Sequence, residues 1–176
     1  MFAANLMNRL FSTLLPGLLI FVLYIPASAQ KRKPRFRDYP VEEIFRGVPA
    51  RVKFRIRWDD RSYGSDLREG AANGPNFAGH FTIVTWGCGS DCYDIAVVDS
   101  RTGRVWFAPF TGSIGLSFRR DSRLLIVDSQ AEREKTFPNG LPKGFGRAPE
   151  IFFVWRGNKF VQIYPRDGTK PLPAFR

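Results

Sequence analysis

The sequence predicts a mostly β protein: an antiparallel meander of about eight short strands with at most one short helix, folded as a sandwich, a barrel or a coiled sheet. Three observations carry that prediction. Aromatic and β-branched residues cluster in short runs, which suits pleated, half-buried surfaces. Gly, Asn, Asp and Ser punctuate those runs as tight turns. Residues 51–58 also alternate without error, with Arg51, Lys53, Arg55 and Arg57 facing one way and Val52, Phe54, Ile56 and Trp58 the other, the signature of a half-buried strand.

Before the domain comes a leader. Met1–Arg9 carries one positive charge, Leu10–Ile25 is apolar apart from Ser12, Thr13, Pro16 and Gly17, and Ala27-Ser28-Ala29 is a small-residue cleavage site. This three-part layout predicts a secretory signal peptide over 1–29, and so export to the periplasm or the exterior. No cysteine follows the site for lipid attachment, and no later apolar run is long enough to cross a bilayer. Residues 30–47 read as a basic N-terminal arm, with 30–37 expected to be poorly ordered. A single β-rich domain over 48–165 and a polar tail over 166–176 follow.

Within the domain, the strand at 51–58 comes first. Asp59–Asn76 is polar and Gly/Ser-rich, and Asp66-Leu67-Arg68-Glu69 fits a capping box, so a short helix is expected over Leu67–Ala72. Phe81–Trp86 and Cys92–Asp99 form the central hairpin about Gly87–Asp91. Arg104–Phe110 is the next strand, ended by Pro109. Gly115–Phe118 and Arg123–Asp128 pair across 119–122, and Glu150–Trp155 and Lys159–Tyr164 pair across 156–158. Ser129–Pro149, with three glycines and three prolines, reads as a long polar loop.

The central hairpin holds both cysteines and the only histidine. In an oxidising compartment Cys88 and Cys92 pair most readily with each other. So small a ring stabilises by only about 2 kcal/mol in the chain-entropy picture, and shapes the loop more than it holds the fold. A redox pair is the alternative. His80 could act as a general base, with Trp86, Asp91 and Asp94 completing a functional loop. Cys88, Cys92 and His80 supply three zinc ligands where four are wanted, so no metal and no cofactor is expected.

Charge is the other handle. The net charge is +11, and residues 30–57 hold ten Lys and Arg against three acids. On a strand, Arg51, Lys53, Arg55 and Arg57 would span about 20 Å, a stripe fit for anionic envelope polymer or lipid headgroups. Export and the inward-facing aromatics argue against nucleic acid.

Two resemblances add to this reading. Phe118-Arg119-Arg120-Asp121-Ser122-Arg123-Leu124-Leu125 is similar to the Phe-x-x-Asp-Gly/Ser-x-x-Leu hairpin of β-propeller blades, but it occurs once in a chain too short to close a propeller. Gly74–His80, Thr85-Trp86-Gly87-Cys88-Gly89 with Cys92, and Asp99-x-x-Thr102-Gly103-Arg104-Val105 resemble a family of small exported bacterial proteins without an established function. That likeness implies export and a β fold, and no substrate. The Cys88–Tyr93 segment is not that of a papain-like protease: one residue is inserted, strands flank it, and the histidine precedes the cysteine.

The functional expectation is an exported β-rich binding module with a disulfide-shaped loop and a basic face. The alternative is a cell-envelope enzyme using His80 and the Cys88–Cys92 loop. The leader makes one immediate prediction: N-terminal sequencing of the exported protein should begin at Gln30. Retention of residues 1–29 in the membrane fraction would contradict the cleavage site.

Overall fold

A computed structural model describes residues 32–55, 57–142, 149–165, 168–170 and 173, apart from the side chains of residues 57–61. The predicted signal peptide and Gln30 lie outside the described residues. Among the described residues seven strands form two antiparallel meanders. One holds β1 (Phe81–Gly89), β2 (Cys92–Asp99) and β3 (Val105–Phe107). The other holds β4 (Leu116–Phe118), β5 (Leu124–Val127), β6 (Ile151–Arg156) and β7 (Lys159–Tyr164). Among the described residues the α-helices are α1 (Arg57–Ala72) and α2 (Gln130–Thr136), and a 3-10 turn covers Phe36–Asp38. Among the described residues no barrel closes, and the architecture is sandwich-like.

The turns follow local chemistry. Gly157 and Asn158 both have positive φ (52° and 65°), the geometry of a two-residue type I′ hairpin between β6 and β7. The β1–β2 register runs from Phe81 opposite Asp99 to Gly87 opposite Tyr93, with an irregularity between Gly87 and Gly89.

Pleat alternation then sorts side chains into three apolar layers. Phe81, Ile83, Ile95 and Val97 meet Leu125, Val127, Ile151, Phe153 and Trp155 between the sheets. Rings dominate this layer: Phe110 stacks on Phe153 at 4.1 Å, and Phe81 meets Trp155 edge-on at 5.4 Å. On the outer face of the first sheet, Leu67 and Ala71 of α1 pack with Val84, Ala96, Val98 and Val105. On the outer face of the second, Phe36 and Tyr39 pack with Leu124, Phe152 and Val154.

That third layer alters the picture of the basic arm. From Lys33 onward the arm is a docked strap, not a poorly ordered tail. Lys33 pairs with Glu150, the Ser122 hydroxyl lies 2.8 and 3.1 Å from the carbonyls of Phe36 and Tyr39, and the Arg123 N–H donates to Tyr39 at 2.9 Å. Its apolar residues anchor it while its cations stay in solvent.

Two further expectations are corrected. Residues 51–58 are not a strand. Arg51–Arg55 keeps the alternating exposure, but among the described residues of the stretch only Lys53 forms a bridge, with Arg104, and the chain turns helical at Arg57. Alternation reports which way side chains face; a strand also needs a partner edge, and β3 is only three residues long. The 16-residue α1 replaces the six-residue helix expected over Leu67–Ala72 and contains the supposed capping box. Its Tyr63, Leu67 and Ala71 recur every four residues, but Gly64, Ser65 and Gly70 between them dilute the stripe. Ser129–Pro149 contains α2, capped by the Ser129 hydroxyl accepting from the Glu132 N–H at 3.2 Å.

Helix α1 reaches β1 closely because Gly70 has no side chain: a Cβ there would lie 2.7 Å from both Val84 methyls. Gly70→Ala should therefore destabilise the protein in urea titrations, even though Ala favours a helix by about 1 kcal/mol, because overpacking costs about 1–3 kcal/mol. In a Val84→Ala background the sign should reverse. A stabilising Gly70→Ala in the otherwise unchanged protein would contradict this packing.

Candidate functional site

The central hairpin distributes its candidate residues along its length. At the tip, Cys88 and Cys92 are bonded, with Cα atoms 5.2 Å apart. Asp91 sits beside them, exposed, with φ 52°. Midway, Trp86 and Asp94 stand opposite each other on the α1 side. Trp86 packs on Tyr63 (4.8 Å between centroids) and Phe107 (6.0 Å), and Asp94 is buried. These two belong to packing beneath α1, not to an open loop.

His80 lies at the other end, before β1. Eight residues of extended chain separate it from Cys88, about 27 Å at strand rise. The histidine and the disulfide therefore do not share a site. Among the described residues, no three His, Cys, Asp or Glu gather as a metal site would require.

His80 has its own partner. Its Nδ1 lies 2.9 Å from Asp99 Oδ1, and its ring covers Phe81 at 4.0 Å. Asp99 also accepts from the Arg101 N–H (2.9 Å) and the Thr102 hydroxyl (2.6 Å), closing an Asx-type turn. Burial works against the Asp99 charge, but bonds from Thr102, the Arg101 N–H and His80 outweigh it and hold the carboxyl below its ordinary pKa. A cavity of about 270 Å³ opens beside this pair, lined by Glu43, His80, Arg101, Arg123 and Trp155 among others. Arg101 is paired with Glu43 at 2.7 Å. Among the described residues the lining holds charges of both signs and no Ser, Thr or Cys. Chemically it offers an oriented imidazole without a side-chain nucleophile of those types.

The segment leading into His80 is structural residue by residue. Asn76 accepts from the Ile83 N–H (2.8 Å) and donates to the Ile83 carbonyl (3.1 Å), pairing with the outer edge of β1 as a strand would. Phe77 is fully buried. Ala78 and Gly79 take positive φ (44° and 85°). At Gly79 a side chain would strike the Glu43 carbonyl.

A second polar post has no counterpart in the sequence reading. Asp128 accepts from the N–H groups of Ser113 (2.7 Å) and Ile114 (2.8 Å), with the Tyr93 hydroxyl 3.5 Å away. Burial, then the Asp128 charge, pushes the Tyr93 phenol well above its ordinary pKa, so it stays protonated.

The basic row is placed more suggestively. Arg51, Lys53 and Arg55 are exposed while Val52 and Phe54 turn toward the α1 layer. The Arg57 side chain lies outside the described residues. Arg55 also lines a cleft of about 440 Å³ with Phe54, Trp106, Trp155, Lys159 and Phe160, between β3 and the β6–β7 turn. The Arg104 guanidinium lies 5.0 Å from the Trp106 ring centroid, an arrangement favoured by the ring quadrupole. Sequence reasoning missed this cleft. Its residues come from three separated segments, and nothing local signals their meeting.

Comparison with protein-family models, curated proteins and solved structures finds no match to the chain. Among the described residues no helix is long and apolar enough to cross a membrane.

The Asp99 geometry has a pH signature. Its folded pKa lies below the unfolded value of about 3.9, so its stabilisation is fully present above that value and is lost as pH falls through the folded pKa. Asp99→Asn should cost about 1–3 kcal/mol at pH 6, and the gap to wild type should narrow at pH 3. Urea unfolding at both values checks this; a constant gap would mean that shape, not charge, makes the contribution.

Proposed function

We propose that the chain is an exported binding module whose basic face takes an anionic ligand of the cell envelope, either polymer or lipid headgroups. The observation that carries this reading is that Arg51, Lys53 and Arg55 are exposed on one side of one segment, and none has an acidic partner among the described residues. Two other surface cations are committed to acids, Arg119 to Asp121 and Arg101 to Glu43. Unpaired cations held in a row raise the local concentration of polyanions. Export rests on the leader and on the likeness to small exported bacterial proteins, and the Cys88–Cys92 bond suits an oxidising compartment.

The enzyme reading draws on the His80–Asp99 pair beside its cavity. It loses the disulfide loop as a partner, because that loop lies at the far end of β1.

Changing Arg51, Lys53 and Arg55 together to Gln should weaken binding to anionic vesicles or to a soluble polyanion at least about tenfold in low salt, and added salt should weaken wild-type binding steeply. Far-UV circular dichroism should be unchanged, since all three side chains are exposed. Binding that survives the triple change would leave the row a merely solvated face.

A further inference from the structure

We propose that the cleft between β3 and the β6–β7 turn is a sugar subsite of the basic face, shaped for an acidic residue of a glycan. The inference rests on the anionic-ligand reading and names its ligand class. Three features of the cleft support it. Its walls are aromatic: Trp106, Trp155 and Phe160 line it, with Phe54 on the segment that carries the basic row. These rings brace one another edge to face, Trp106 against Trp155 at 6.0 Å and Trp155 against Phe160 at 4.8 Å, so the wall is pre-formed. The polar groups of the lining include two exposed cations, Arg55 and Lys159, and the exposed amide residue Asn158. The volume of about 440 Å³ falls within the range of about 300–1,000 Å³ usual for small-ligand sites.

A pyranose ring presents an apolar C–H face and a hydroxyl-bearing edge. A uronic acid adds a carboxylate on that edge. Aromatic wall, amide and paired cations match those parts in turn: rings to the C–H face, Asn158 to hydroxyls, Arg55 and Lys159 to the carboxylate. A lipid headgroup has no flat apolar face to set against Trp106. A nucleobase has one, but the disulfide at the hairpin tip fits an oxidising compartment, where acidic glycans are the more available polyanions. Arg55 belongs to both the row and the cleft, so a chain lying along the exposed cations is led into the aromatic wall.

The test compares an oligogalacturonate, polyglutamate of equal charge, a neutral cello-oligosaccharide and oligothymidylate, by calorimetry and tryptophan fluorescence at one salt concentration. The oligogalacturonate should bind at least about tenfold more tightly than polyglutamate and should alone perturb tryptophan emission. Lys159→Gln, at an exposed position beside the turn, should remove most of that preference, weakening oligogalacturonate far more than polyglutamate. Trp106→Phe should keep the fold and reduce the fluorescence change. Equal binding of oligogalacturonate and polyglutamate, untouched by Lys159→Gln, would overturn the subsite and leave the basic face standing. Absence of binding to every polyanion would overturn both. Tighter binding of oligothymidylate would overturn the sugar assignment in favour of nucleic acid.

Discussion

The two backbone groups of Gly79 hold the assembly together. Its N–H donates to the Arg120 carbonyl at 2.7 Å, in the turn between β4 and β5, and its carbonyl accepts from the Phe45 N–H at 3.1 Å, in the strap. One residue thus ties the entry of β1 to the second sheet and to the N-terminal segment. Both bonds require the left-handed turn at Ala78 and Gly79, and the close approach of Glu43 leaves no room for a Cβ at position 79. On either side, Asn76 closes the edge of β1 and His80 is bonded to Asp99 across the hairpin. The five-residue segment from Asn76 to His80 is therefore a junction. Its residue types are each accounted for by packing and hydrogen bonding, and His80 faces a cavity in addition to that role.

The junction matters because the β1–β2 hairpin is buried on both faces. Ile83, Ile95 and Val97 enter the layer between the sheets, while Val84, Ala96 and Val98 enter the layer under α1. A register slip of one residue would exchange the two sets. The His80–Asp99 bond and the Thr82–Ser100 hydroxyl pair, both crossing from one strand to the other, pin the register at the His80 end. The Cys88–Cys92 bond does so at the tip. Each end carries a lock that does not depend on the other, which is why the disulfide can be small without leaving the hairpin loose.

The legible part of the chain was the part whose structure is decided locally. Strands with β-branched runs and tight turns, β1 to β7, were readable from alternation and turn residues, and so was the Cys88–Cys92 bond, because a chain with two cysteines has one intrachain pairing. Helix α1 was readable only at its C-terminal end, Leu67–Ala72. Its sequence has modest helix propensity, with Gly70 present for contact with Val84 and not for the helix itself. Its stability comes from burying Leu67 and Ala71 on a sheet that follows it in the chain. The strap was hidden for a similar reason: Phe36 and Tyr39 sit among cations, and only Leu124, Phe152 and Val154 reveal what they cover. Helix α2 carried a readable signal in Ser129 and Glu132, outweighed by the glycines and prolines that follow it.

The most regular alternation in the sequence was the stretch that failed to become a strand, and that failure opens the cleft. A segment from 51 to 58 paired along the whole of β3 would extend the first sheet and cover the β3 edge. Instead the segment makes one bridge at Lys53, held by its N–H on the Gly103 carbonyl at 2.8 Å, and then leaves the sheet for α1. Phe54 and Arg55 are left at the mouth of the space beside Val105, Trp106 and Phe107. Local pattern and tertiary demand disagree at this point, and such disagreement is where functional surfaces tend to lie. The alternation still does something: it keeps Arg51, Lys53 and Arg55 outward while Val52 and Phe54 seal the edge of the α1 layer. A pattern that reads as a strand serves here as a short extended edge, with cations on its outer side and an aromatic recess at its end.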